Sequence, residues 1–286
     1  MLQISELFIY PVKSLGGIRV SSAQLTDRGF QYDRRWMLVD ENNRFLTQRE
    51  YPQMALLQPH IHNEGLKIVH KNDPAESIII PFLSEKDKAN GFAKTNTDKV
   101  VNVWDDYCEA LPMDQSINEW FSDQLHLTCK LVYMPDETRR KVDPRYAVNE
   151  TNITSFSDGY PVLVISQASL DDLNNRLEHP LPMNRFRPNI VITGATPYEE
   201  DEMEVFRIGD INFFGVKLSA RCVMITINQD SGEKGKEPLR TLYRYRSMNN
   251  KVYFGQNVLY ENTGVLKMGN IIEIIKRKPA VKFEHG

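Results

Sequence analysis

Four short segments set cationic, hydroxyl or thiol side chains where the backbone is expected to turn. In Tyr10-Pro11-Val12-Lys13-Ser14-Leu15-Gly16-Gly17, an apolar run ends on a lysine and a serine, followed by two glycines. That pair offers an ammonium, a hydroxyl and backbone N–H groups to an anion such as a phosphate. The alternative is a surface turn with a solvated lysine. Asp27-Arg28-Gly29-Phe30-Gln31-Tyr32-Asp33-Arg34-Arg35-Trp36 sets three arginines beside two aspartates. Strand alternation would put Arg34 and Trp36 on one face and Arg35 on the other, and an inward Arg34 requires an anionic partner. A salt-bridged surface ribbon is the other reading. In Phe186-Arg187-Pro188-Asn189, the proline favours an extended Arg187 just ahead of an apolar strand. In Ser219-Ala220-Arg221-Cys222, an arginine beside a cysteine favours the thiolate, which is a nucleophile and a soft metal ligand. A free cysteine acting as a small buried hydrophobe is the alternative, and the one assigned to Cys108 and Cys129.

Short strands must position these groups. Runs of Val, Ile and Phe bounded by Gly, Asn, Asp or Pro predict strands through most of the chain, among them 7–12, 35–39, 211–216 and 223–227. Three helices interrupt them. One is expected over 116–125 with a capping box of Ser116 and Glu119, and one over 169–178 started by Ser169 and Asp172. A third begins near Pro238 and runs through Tyr243. Many short strands with few helices predict a mainly β (α+β) protein of barrels or sandwiches. Of two polar stretches, Ser84–Lys99 is expected to be an exposed loop. Pro135–Tyr160 is long enough to be functional or connecting.

The length of 286 residues suits two domains, and 41% hydrophobic with 26% charged residues is ordinary globular composition. With 35 basic and 38 acidic residues, the net charge of -3 argues against a nucleic-acid partner. No apolar run approaches the roughly 18 residues of a membrane span, and the N-terminus lacks signal-peptide features, so a cytoplasmic protein is expected. Three cysteines without a CxxC pair argue against an iron–sulfur cluster or structural zinc built from this chain alone. His60-Ile61-His62 is read as surface filler.

Taken in order, these segments resemble the MOSC family over nearly the whole chain. Tyr10–Gly17 and Asp33–Trp36 are similar to the N-terminal β-barrel domain that precedes many MOSC domains. Phe156-Ser157-Asp158-Gly159-Tyr160-Pro161, Ile165–Leu170, Phe186–Asn189, Arg221-Cys222, Asp230–Gly232, Glu237–Leu242 and Phe254–Asn257 are similar to the MOSC domain proper. The resemblance implies an N-terminal barrel over 1–122 and a MOSC β-barrel over 123–280 with a few helices. It is strongest to bacterial MOSC reductases that detoxify N-hydroxylated bases and to the mitochondrial amidoxime-reducing component.

That likeness implies a molybdenum cofactor (Mo-molybdopterin) between the two units, with Cys222 as the metal ligand and catalytic cysteine. Lys13, Ser14, Arg34 and Arg187 would hold the pterin and its phosphate, assisted by Asn189, Arg221, Asn257 and the backbone of Asp158, Gly159 and Tyr160. The implied reaction is reduction of small N-hydroxylated compounds: hydroxylamines, amidoximes or N-hydroxylated nucleobases. Several relatives carry a plant-type ferredoxin domain, whose C-x₄-C-x₂-C spacing this sequence lacks. Either electrons come from a separate donor protein, a ferredoxin, flavodoxin-type protein or flavoprotein reductase, which is the expectation, or the sequence is part of a longer chain that carries such a domain. The alternatives are a sulfur carrier with a persulfide on Cys222, or a non-catalytic cofactor-binding module.

Overall fold

Apolar residues at every second position form strands here because β-branched and aromatic side chains fill a pleated, half-buried surface. In the computed structural model, which describes residues 1–82 and 100–284, these strands build one large sheet and several small ones. The stretch Ser84–Lys99 lies outside the described residues. The large sheet runs Ile18–Val20, Gln3–Ile9, Ile190–Thr193, Val162–Ser166, Lys251–Tyr260, Ile211–Arg221, Met203–Ile208 and Ile272–Arg277, with Ser247–Met248 attached to Lys251–Tyr260. A bridge from Gln3 to Ile271 brings the first strand to the start of the last, closing the path as a barrel does. Val162–Ser166 and Ile190–Thr193 are parallel, so a crossover joins them. It contains helix α2, Gln167–Asn174. The interior is filled by Ile4, Leu7, Val164, Ile192, Phe206, Phe213 and Val258.

A second core gathers Leu15, Trp36, Leu38, Leu57, Leu66, Ile68 and Ile80 with Phe121 and Leu131. It is made by the meander Leu57–His62, Gly65–His70 and Asp73–Pro81, by Trp36–Val39 paired with Lys130–Tyr133, and by helix α1, Gln115–Leu125. The two parts interlock. The first strand of the chain sits in the large sheet, and Gly264–Lys267, near the other end, pairs with Ser22–Thr26. Among the described residues, no helix is long and apolar enough to cross a membrane.

The mainly β architecture, with three helices among the described residues, is as the sequence predicts, but several local details differ. Helix α1 has Asp114 at its N-cap without a side-chain cap bond, and Glu119 instead accepts from Gln115 at 3.0 Å. Helix α2 is capped by Ser166, which accepts from Ser169 N at 3.0 Å; the Ser169 hydroxyl donates to Glu200 at 2.9 Å. The helix follows its strand without a loop, so the strand's last residue serves as the cap. The 223–227 run is not a strand: Val223–Thr226 is a 3-10 turn opened by Cys222.

Tyr260 pins the interlock. Its hydroxyl donates to Thr26 O at 2.7 Å and accepts from Gly29 N at 2.6 Å. Tyr260→Phe strands a buried N–H and a carbonyl, and is expected to cost about 1–3 kcal/mol of stability in urea denaturation. An unchanged midpoint would show that the hydroxyl is not what joins these segments.

Candidate functional site

After Val12 bridges Trp36, the chain turns sharply at Ser14, whose φ is 67°. Gly17 permits the turn to close, because a Cβ there would lie 2.4 Å from the Tyr10 ring. The turn points the buried Lys13 side chain at the loop around residue 156. Its Nζ donates to Phe156 O at 2.8 Å and to the Asp158 carboxylate at 2.5 Å. Burial pulls the Lys13 ammonium down to about 8, against the opposing pull of Asp158. Burial would raise Asp158 in turn, but Lys13 and then the Trp104 indole outweigh it and hold the carboxyl well below its usual range. The Asp158 side chain nevertheless stays open to solvent on the cavity wall.

Tyr10, buried and bonded through its hydroxyl to Pro188 O, organises the arginines. Arg34 and Arg187 each lie over its ring, 4.3 Å from the centre. Arg34 is paired with buried Asp33 at 2.6 Å and donates to Asn189 Oδ1 at 3.2 Å, while Asn189 donates to Asp33 at 3.1 Å. Arg187 donates to Leu15 O at 2.5 Å. Burial, and then repulsion from Arg34, pulls Arg187 down to about 10, so it stays charged at neutral pH.

Two expectations are corrected here. Arg34, with φ 49°, lies outside any strand, and Trp36 turns into the second core, so the two share no alternating face. Arg187 is not extended but left-handed at φ 55°, despite the following proline. Three site residues thus hold a backbone conformation that non-glycine residues seldom adopt. The contacts of the Arg34 and Arg187 side chains with Tyr10, and of the Ser14 carbonyl with Gln48, hold it.

The loop carrying Asp158, Gly159 and Tyr160 is held from behind by buried Arg140, which donates to Ser155 O at 2.9 Å and Ser157 O at 2.6 Å. On the other wall, Ile211–Arg221 brings in Lys217, Ser219 and Arg221, and delivers Cys222 to the mouth. Arg221 donates to Phe186 O at 2.7 Å and Ser219 Oγ at 3.0 Å, while its buried Nε has no partner. Burial lowers the Arg221 guanidinium, against the attraction of Cys222 and Asp158. Cys222 is exposed; Cys108 and Cys129 are buried, and burial pushes both thiols up to about 11.

All eleven sequence-predicted site residues line one cavity of about 340 Å³: Lys13, Ser14, Arg34, Asp158, Gly159, Tyr160, Arg187, Asn189, Arg221, Cys222 and Asn257. Lys217 adds a fifth cation, and Asp158 is the acidic member of the lining. The sequence did not single out Lys217, Arg140 or Trp104 for this cavity, nor the part that Tyr10 and Asp33 play in holding its arginines. Lys217 sits in an apolar strand, where a lysine is a detectable anomaly; Tyr10 and Arg140 act only through contacts distant in sequence. Among the described residues, no three His, Cys, Asp or Glu side chains gather as metal ligands.

The cavity is built to attract anions, and Lys13 sets a pH limit. Its ammonium persists below about pH 8 and is lost above it. Affinity for a phosphate monoester, whose second ionisation is complete by then, is therefore expected to be flat near neutrality and to fall up to about tenfold per unit above pH 8. A pH series of methyl phosphate binding checks this; in Lys13→Met the fall should be absent.

Residues 1–128 match the MOSC N-terminal beta barrel domain, and residues 152–273 match the MOSC domain. Mouse mitochondrial amidoxime-reducing component 1 is 31% identical over 288 residues, spanning 95% of this chain and 82% of that protein. Rat mitochondrial amidoxime reducing component 2 is 30% identical, over 93% of this chain and 81% of that protein. Rice molybdenum cofactor sulfurase is 32% identical over 91% of this chain but only 33% of its own length, so the chain spans a third of that relative. With both domains present in order around the cavity, the chain belongs to the MOSC family.

Proposed function

We propose that this chain binds a molybdenum cofactor in the cavity, with Cys222 as its protein ligand, and reduces N-hydroxylated compounds with electrons from a separate donor protein. The observation that carries the reading is that the exposed cysteine, of the three in the chain, shares a cavity with five cationic side chains. The residues fit an anionic, phosphate-bearing group with a soft metal. Arg221 Nε and Tyr160 Oη are buried without a partner in the lining. A Cβ on Gly159 would meet no protein atom within 4 Å, so protein packing does not account for the missing side chain. A cationic wall suits a phosphate, and a thiolate suits molybdenum.

When bound, the cofactor supplies two-electron redox chemistry at its metal. The chain supplies the rest. Lys13, Ser14, Arg34 and Arg187 would take the phosphate and pterin, with Asn189 and Asp33 fixing the Arg34 fork. Arg221 would place a donor beside Cys222, and the backbone of Asp158–Tyr160 and Asn257 would border the pterin. Overall, the reduction takes two electrons and two protons, breaks the N–O bond, and yields the amine or its equivalent and water. The mouse and rat relatives are named for amidoxime reduction, which supports this substrate class; a detoxifying role follows from it.

A second reading is a sulfur carrier. It is favoured by the exposure of Cys222 and by the relatives named as molybdenum cofactor sulfurases. Metal analysis of protein from a cofactor-making host separates the two. About one molybdenum per chain, lost in Cys222→Ala together with reductase activity while the variant still melts with the cofactor-free wild type, is expected for the reductase. Cyanide-labile sulfur on Cys222 without molybdenum would favour the carrier. An active Cys222→Ala variant would overturn the assignment of the ligand.

A further inference from the structure

Asp158 is an oddity in this cavity, a carboxylate among five cations. It lies 2.5 Å from Lys13 Nζ and 3.1 Å from Trp104 Nε1. The Lys13 side chain is 6% exposed and Asp158 70% exposed, so the ammonium is enclosed while the carboxylate faces water. Lys13 has three N–H donors. Phe156 O and Asp158 occupy two of them. A phosphate arriving at this ammonium therefore meets an anion already on it, and the two repel. The exposed, hydrated one yields at little desolvation cost.

We propose that Asp158 sets the charge selectivity of the cavity: its carboxylate is a resident anion on Lys13 that a phosphate dianion displaces and a monoanion does not. The inference rests on the reading of the cavity as a phosphate-binding cofactor site and adds how that site chooses its ligand. Displacement also frees Trp104. Its backbone is left-handed at φ 59°, the Arg49 guanidinium lies 4.1 Å over its ring, and Phe45 packs at 5.1 Å. Asp158 takes its indole N–H, so departure of the carboxylate alters the polar contact of a half-exposed fluorophore.

The test uses the full chain free of cofactor, titrated at pH 7.5 with methyl phosphate and, separately, acetate. Binding is followed by ³¹P line broadening, competition and tryptophan emission. Asp158→Asn is expected to bind methyl phosphate about tenfold more tightly, the scale of one nearby charge, and to gain relatively more for acetate. Wild-type emission should change with the same midpoint as binding, and Trp104→Phe should lose that change. Equal or weaker phosphate binding by Asp158→Asn would overturn the proposal and make Asp158 an anchor for Lys13, leaving the cofactor reading intact. So would an emission signal that ignores phosphate. Binding by neither protein, or binding that Lys13→Met leaves undiminished, rejects the phosphate site itself and both readings with it.

Discussion

Holding several like charges against one cavity is the constraint from which the rest of this structure follows. Arg34 and Arg187 share the Tyr10 ring at 4.3 Å each, so their charges lie no more than about 9 Å apart. At an effective dielectric of about 20 they repel by roughly 2 kcal/mol. The fold offsets this in two ways. The negative face of Tyr10 attracts both guanidiniums, and buried Asp33 neutralises Arg34. Each main cation also donates to a backbone carbonyl from another segment: Lys13 to Phe156, Arg34 to Arg187, Arg187 to Leu15 and Arg221 to Phe186. The charges thereby stitch together the loops that carry them.

This stitching explains why irregular backbone surrounds the cavity while regular sheet lies behind it. Ser14, Arg34 and Arg187 hold left-handed conformations that the isolated chain would disfavour. They persist because the exchanged strands fix the loop ends: Gln3–Ile9 enters the large sheet, and Gly264–Lys267 joins Ser22–Thr26. A further lock lies beside Ser14. Gln48 donates to Ser14 O at 2.7 Å, and its buried amide pairs reciprocally with that of Gln229 at 3.2 and 2.9 Å. Segments nearly two hundred residues apart thus set the position of one turn.

Exposure separates the three cysteines. Cys129 is buried against Ser122, and Cys108 lies in the core with Val101 and Val103. Cys222 follows a strand whose last residues line the cavity, and opens the 3-10 turn at its mouth. The turn rests on Ile225, packed with Phe186 and Leu242. The thiol is therefore presented by a rigid base, as a metal ligand or nucleophile requires.

The sequence by itself determined the class of fold, because period-two apolar runs and turn residues are local signals. It also determined which motifs belong together, because their order resembles one family. Residue types were enough to single out Lys13, Arg34, Arg187, Arg221 and Cys222, whose chemistry is intrinsic. The tertiary structure alone decided how those groups are aimed. Local rules put Arg34 on a strand face, extended Arg187, and made a strand of 223–227; long-range contacts overrode all three. Tyr10 and Arg140 stayed unseen for the same reason. An aromatic ring between charges, or an arginine behind a loop, has its effect only through partners brought close by folding.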